Sequence, residues 1–521
     1  DFAAVGDFGR CPMNSLPLLS LIIFTPWAGA LLLALLPRLG AGPSRSLALF
    51  FSLSTLALGT TVLAGFDPAV TGFQLSEKHA WIAALNVNYH LGLDGLSLVL
   101  LLLTGLIAPV AIYGTTKSSA QPSLYAALFL FLQGSALGVF LSLDFFPWFV
   151  FWELSLVPAF FLMKLWGGHG AARAAYQFVI YTIGGSAFML LGFAALYAAS
   201  GTFDFVQLAA MARDGSLAVK LSTLGSWWPQ VIFLGVLLGL AVKVPMFPFH
   251  TWLPPAYAEA PTGASMFLTG VLSKMGFYGF LRLLWPIFPA QLQAAAPCLL
   301  WLAVAGVVLG AYAALRQTDL KRLVAYSSIN HLSYCLLALF AVSASGRAGD
   351  EASIAALSGA VLQMFNHGLS AAALFYCVGI LENRSGGLRG LGDFGGVRTQ
   401  APILAGLCGI ALFSSLGLPG LNGFVGEFLI FRGVFGLAPW AAAVSTLGLL
   451  ATAIFLLTFW QKVFHGPTAG AGVNFRDLSV GEIIPLLPLI VMMFVLGLAP
   501  QLLAHLINPL VTSWASTLPL Q

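Results

Sequence analysis

The chain has 521 residues, of which 59% are apolar and only 8% charged, with a net charge of +4. Soluble domains carry about 25% charged residues, so a water-soluble fold is excluded, and the recurring Leu, Ala, Val and Phe runs exclude disorder and collagen-like order. The basic residues are dispersed, with no run longer than Lys321-Arg322, which excludes nucleic acid as a partner.

In chain order, residues 1–12 differ from the rest and read as an extra leader or a mis-called start, since Met13 opens an ordinary apolar segment. Windows of about 20 apolar residues, enough to cross roughly 30 Å of hydrocarbon, then mark fourteen candidate helices. They lie at 17–36, 46–65, 95–115, 124–143, 146–166, 174–198, 228–253, 263–285, 296–315, 321–343, 353–381, 403–436, 440–464 and 482–507, with a tail over 508–521. Helices are required because lipid-exposed backbone must satisfy its hydrogen bonds within each segment, and no two-residue period of a barrel strand is present. The expected fold is all-α: a polytopic membrane protein with a transmembrane domain over 13–507. With the N-terminus outside, alternate loops carry thirteen Lys and Arg on the cytoplasmic side and six on the outer side. That asymmetry places both termini outside. Among five cysteines, Cys11, Cys298, Cys335, Cys377 and Cys408, there is no C-x-x-C pair, so no disulfide framework, iron–sulfur cluster or zinc site is expected.

Two spans carry helix breakers. Pro245 and Pro248 interrupt the seventh, and Gly417-Leu-Pro-Gly-Leu-Asn-Gly423 interrupts the twelfth. Each Pro removes a backbone donor and clashes with the preceding turn. Broken helices persist in a membrane only where protein or a polar cavity lines them, and so they mark ion pathways; a packing kink is the competing reading. The stretches 124–253 and 321–436 align coarsely by helix order as a repeated five-helix unit.

Four charged residues fall in the interiors of spans, away from the terminal turns at either end: Glu153, Lys243, Lys274 and Glu427. An unpaired charge at the bilayer centre costs about 2.5–3.5 kcal/mol on insertion scales, so such residues need partners or water. Burial favours the neutral forms of Lys and Glu, and bringing them together favours the charged forms. A Glu153–Lys243 pair of variable spacing is therefore a proton switch, with a static ion pair that fixes helix packing as its competitor. His250 lies seven residues after Lys243, on one face if the helix continued. His331 and His367 sit in the tenth and eleventh spans, each after an Asn. A neutral imidazole both donates and accepts, so the three form a candidate proton relay; singly each reads as a hydrogen-bonded core residue. They lie on different spans without thiolate company, which argues against a metal. Asp94 reads as the N-cap of the third span, Asp319-Leu-Lys-Arg322 as a topology anchor, and Phe145–Trp152 as an interfacial, lipid-facing belt.

The runs Phe-Trp-Glu-Leu-Ser-Leu-Val-Pro (151–158), Val-Lys-Val-Pro-Met-Phe-Pro-Phe-His-Thr-Trp-Leu-Pro (242–254), Leu-Ser-Lys-Met-Gly-Phe-Tyr-Gly (272–279), Asp-Leu-Lys-Arg-Leu-Val-Ala-Tyr-Ser-Ser (319–328) and Gly-Leu-Pro-Gly-Leu-Asn-Gly-Phe-Val-Gly-Glu-Phe (417–428) resemble the chain M family of NADH-quinone oxidoreductase, the proton-pumping respiratory complex I. The resemblance covers nearly the whole chain from Met13. It implies an antiporter-like subunit with fourteen helices in two inverted five-helix repeats, broken helices 7 and 12, and one proton channel. It also implies that Glu153 pairs with the pump lysine Lys243, that Lys274 connects onward, that His331 and His367 belong to the central axis, and that Glu427 is the twelfth-helix group near the exit. Related chains L and N, and Mrp-type antiporter subunits, tend to carry Lys where Glu427 stands, which favours chain M. The family usually shows Asp-Ala-His where Pro255-Ala-Tyr257 stands here, and Ser-His-x-Gly where Asn330-His-Leu-Ser333 stands.

The expected function is proton translocation in the membrane arm of NADH-quinone oxidoreductase, a translocase whose redox chemistry lies elsewhere. No cofactor is expected in this chain; flavin, iron–sulfur clusters and quinone belong to partner subunits. The expected partners are chains L and N, the bilayer and protons, in a bacterial inner membrane with both termini periplasmic. An Mrp-type cation/proton antiporter subunit and the membrane subunit of a hydrogenase-like complex are the alternatives.

Overall fold

The computed structural model describes residues 16–114, 120–347, 349–467 and 475–517. The leader over 1–12, Cys11 and the end of the tail lie outside the described residues. Eleven helices among the described residues are long and apolar enough to cross a membrane. Three interrupted segments, at 228–259, 262–287 and 402–437, bring the passes to the expected fourteen.

Local chemistry sets the helix ends. Pro occupies the first turn of the helices that begin at Pro122, Trp228, Pro289, Pro402 and Pro439, where its missing N–H has no intrahelical partner to lose. Asp94, Asp144, Asp204 and Asp319 are N-caps whose carboxylates accept backbone N–H bonds. These acids thereby fix where loops become helices. The expected role of Asp94 is borne out, and Asp319 is a cap as well.

The tenth and eleventh passes, Leu320–Ser345 and Glu351–Arg384, are almost wholly buried and form the centre of the bundle. They carry Asn330, His331, Gln363, Asn366 and His367, all buried. The peripheral passes leave large apolar side chains outside, among them Ile180, Leu191, Leu450 and Trp440. Polar groups inside and apolar groups outside are what a lipid solvent selects.

The structure corrects several expectations. The fifth pass runs continuously over Phe145–Trp166, as expected, with helical backbone through Ser155, but its aromatic face is not the lipid-facing belt. Phe145, Trp148, Phe151 and Trp152 are buried, with Phe145 stacked on Phe193 at 3.7 Å between ring centres. This aromatic run is internal packing, because its rings interlock with the sixth pass. The fourteenth helix ends at Leu498, and after Pro500 a further helix, Gln501–Thr517, takes in much of the expected tail.

An antiparallel hairpin, Gln74–Ile82 with Val87–Leu93, had no counterpart in the span reading. It docks on the loops that follow the fourth and sixth passes. Asp204, 1% exposed, accepts from Lys78 Nζ at 2.7 Å and lies 3.0 Å from His90 Nδ1. Burial pushes its carboxyl upward, but His90 and Lys78 more than offset this and hold it at about 2. Burial pushes the neighbouring Asp144 carboxyl up to about 6, outweighing the N–H bonds from Phe146 and Asn88. The two acids have opposite signs in the pH balance. Asp204 stabilises the dock above its unfolded value and loses this only as pH falls toward 2. Asp144 holds a proton preferentially in the folded state, so its favourable contribution is lost as pH rises from about 4 to 6. Hydrogen exchange of strand 87–93, corrected for intrinsic rate, should show protection falling across that window and becoming flat in Asp144→Asn. A wild-type profile that is flat from pH 4 to 6 would refute the assignment.

Candidate functional site

Lys274, with 0% exposure, stands at the centre of the polar interior. Its pass contains two π-helical turns, Leu268–Leu272 and Phe280–Leu284, on either side of Ser273–Gly279. A π turn widens the helix and breaks the regular amide ladder, and carbonyls here turn to side chains. Thr269 O accepts from Lys274 Nζ at 2.5 Å and from Ser273 Oγ at 2.9 Å. Leu268 O accepts from Tyr257 OH at 3.0 Å.

From Lys274 a line of polar groups crosses the central passes. Lys274 Nζ is 2.8 Å from His367 Nδ1. An ammonium has no acceptor, so Nδ1 accepts and the imidazole proton of a neutral His367 sits on Nε2. That Nε2 is buried and has no hydrogen-bond partner. The His367 and His331 rings lie 5.4 Å apart between centres. His331 Nδ1 is 3.1 Å from Glu427 Oε1, which is ion-pair distance, but the contact is too poorly aligned to be a hydrogen bond. Gln363 Nε2 donates to the same Oε1 at 3.2 Å. Four of the seven expected residues, Lys274, His367, His331 and Glu427, therefore stand in one contiguous row.

Glu153 and Lys243 form a second, looser unit. Lys243 is 2% exposed, yet its Nζ makes no hydrogen bond, and neither does Glu153 Oε1. The ammonium lies 4.9 Å from the centre of the Trp152 ring and 5.9 Å from that of Phe178. Trp152 is itself held by its indole N–H, which donates to Ser186 Oγ at 3.0 Å. The expected pair is thus apart, with an aromatic face holding the cation near Glu153.

Both expected breaks are present. The seventh helix stops at Lys243 and resumes as Leu253–Glu259. Trp252 Nε1 donates to Val242 O at 2.9 Å, so the break binds back onto the residue before Lys243. The twelfth pass breaks between Pro402–Ser415 and Asn422–Leu437. Gly417 and Gly420 have φ of 77° and 92°, which glycine adopts without strain. Asn366 Nδ2 donates to Asn422 O at 2.7 Å, and Ser414 Oγ donates to Asn422 Oδ1 at 2.6 Å. A Cβ at Gly423 would meet Ser414 O at 1.9 Å, so only glycine permits this approach, one turn before Glu427.

His250 departs from expectation. The helix does not continue past Lys243, and His250 stacks on Phe247 with its buried Nδ1 unpartnered. No hydrogen bond or ion pair among the described residues joins it to the row. Its seven-residue spacing from Lys243 lost meaning at the break.

Three polar members, Ser186, Thr269 and Gln363, had no place in the expected site. Gln363 could have been found as a polar residue within a turn of His367, as Asn366 was, and Asn422 stood in the glycine-rich break without a role of its own. Thr269 gave no signal, because its backbone oxygen is what it contributes.

The family model described as "NADH:quinone oxidoreductase/Mrp antiporter, TM" matches residues 142–454. NADH-quinone oxidoreductase subunit M of Rhodobacter capsulatus is 36% identical over 504 residues, covering 94% of this chain and 95% of that protein. A chain of respiratory complex I from Thermus thermophilus superposes with a TM-score of 0.83 at 29% identity, covering 96% of this chain and all of that one. A chain of the Mrp complex from a Dietzia species shares the fold, with a TM-score of 0.79 at 21% identity over 97% of this chain and all of that one. With the family model spanning more than half of the chain and relatives matching nearly end to end, this protein belongs to the NADH:quinone oxidoreductase/Mrp antiporter transmembrane family.

Proposed function

We propose that the chain is the M-type proton-translocating membrane-arm subunit of a bacterial NADH-quinone oxidoreductase. The observation that carries this is the buried row Lys274–His367–His331–Glu427, with a second buried lysine and glutamate beside it. Flavin, iron–sulfur clusters and quinone belong to partner subunits, and chains L and N are the antiporter-like neighbours. The Lys and Arg bias of the loops supports an inner-membrane placement with the hairpin and both termini on the periplasmic side.

In this reading Lys243 is the switch. Approach of Glu153 favours the ammonium, and retreat leaves a cation with only aromatic faces, which releases its proton. Water bridges the gap to Lys274. Lys274 passes a proton to His367 Nδ1 while His367 gives up its Nε2 proton toward His331, and Glu427 receives it from His331. A histidine relay of this kind resets by tautomer exchange. The two breaks hold Lys243 and Glu427 at the ends of the path, and the order of helices suits two inverted repeats.

The purified assembly, reconstituted in vesicles, tests the reading directly. Proton uptake driven by NADH oxidation and independent of Na⁺ and K⁺ is the expected result. Cation/proton exchange without NADH would transfer the chain to the Mrp-type antiporters. Pumping indifferent to Lys243 would leave it a scaffold of a hydrogenase-like complex.

A further inference from the structure

Away from the row, on the face opposite the hairpin, five charged side chains from distant segments meet. Arg389, in the loop after the eleventh pass, is at their centre. Its Nη1 donates to Ala258 O at 2.7 Å and its Nη2 is 3.4 Å from Glu259 Oε1, both at the end of the helix that resumes after the seventh-pass break. Its Nε is 3.2 Å from Asp319 Oδ2, at the start of the tenth pass, and 3.8 Å from Glu382 Oε1, in the last turns of the eleventh. Lys321, 3% exposed, closes the group with Glu382 at 2.7 Å. The backbone joins too, since Leu320 N donates to Arg389 O at 2.9 Å.

Glu259 reaches a fourth element. Its Oε2 accepts from Gly170 N at 3.1 Å and its carbonyl from Gly168 N at 2.8 Å, in the turn after the fifth pass, which carries Glu153. A Cβ on Gly167 would lie 2.6 Å from the backbone oxygen of Glu259, which cannot swing aside, so the turn is shaped to this contact. The helix ends gathered here thus belong to the elements bearing Glu153, Lys243, His331 and His367.

We propose that Arg389 is a positioning residue for proton transfer, holding the resumed helix Leu253–Glu259 against the tenth and eleventh passes and thereby setting where Lys243 stands relative to Glu153 and to the histidine row. The mechanical link is short. The resumed helix follows Trp252 directly, and Trp252 is bonded to Val242 O, next to Lys243. The Lys243 ammonium makes no hydrogen bond and rests only on the Trp152 and Phe178 faces, so a shift of its backbone is not opposed by any directional side-chain bond. Without Arg389 three carboxylates would face each other with only Lys321 between them, and the helix ends would separate. A guanidinium suits the position because one planar group serves acceptors in several directions.

This inference rests on the proton-path reading. It is tested in the intact, reconstituted complex by protons pumped per NADH oxidised. Arg389→Ala should lower that yield at least about threefold, as expected of a sub-ångström to ångström misplacement of reacting groups, with NADH oxidation affected less. Arg389→Lys, which keeps the charge but reaches fewer of the acceptors, should restore part of the yield, which bulk damage to the fold would not allow. Should Arg389→Ala reduce assembly, Glu259→Gln keeps side-chain shape and carries the test in the same direction. An unchanged yield in assembled Arg389→Ala or, failing that, Glu259→Gln overturns the proposal. If Lys243→Met stops pumping while these variants pump normally, only the positioning role fails; if Lys243→Met itself pumps normally, the underlying reading fails.

Discussion

Lys243→Met is expected to cut proton pumping by the assembled complex at least about tenfold through this chain, equivalent to ~1.4 kcal/mol or more on the barrier, while leaving the fold as stable as before or more so. The reason is the isolation of the ammonium. It is buried, makes no hydrogen bond, and is balanced only by aromatic faces and a carboxylate beyond ion-pair distance. An uncompensated charge at mid-bilayer costs about 2.5–3.5 kcal/mol, and Met fills a similar volume without that cost. Thermal unfolding and dye-reported proton uptake per NADH, measured on the same preparation, check the two halves. Loss of both stability and pumping would mean that Lys243 is chiefly a packing element, and normal pumping would remove it from the mechanism.

Lys274→Met should lose pumping to a similar degree but also lose stability, by about 1–3 kcal/mol for buried polar groups left without partners. This lysine is fully engaged. It donates to Thr269 O in the π turn and to His367 Nδ1, and a methionine would leave His367 Nδ1 without its donor and Thr269 O with Ser273 alone. The opposite stability response of two equally buried lysines is the sharpest test of the structure, and equal Tm shifts for both variants would contradict it.

The fourteen passes, the two breaks and the buried charges were legible in the amino-acid sequence for direct physical reasons. Twenty apolar residues cross the hydrocarbon, Pro245 and Pro248 cannot continue a helix, the glycines around Leu418-Pro419 permit a turn, and a charge such as Lys274 inside an apolar run demands an internal site. The N-cap Asp94 follows from its place before an apolar run, while Asp319, expected as a topology anchor, was shown to be a cap only by the structure. What escaped was whatever depends on a partner distant in sequence. Lys274 and His367 are 93 positions apart, Gln363 and Glu427 64, and Arg389 and Glu259 130. The hairpin escaped because span counting passes over the segment between apolar runs.

Sequence alone determined that this chain is a membrane bundle with broken helices and ionisable groups in its interior, because hydrocarbon thickness and backbone hydrogen bonding admit little else. Tertiary structure decided which of those groups meet: Lys274, His367, His331 and Glu427 in a row, Glu153 and Lys243 held apart, His250 turned aside by the break. It also decided that Phe145, Trp148 and Trp152 face protein. Lipid is as apolar as a protein core, so the side a helix turns to its neighbours is set by packing against them and leaves no mark in the hydrophobic pattern.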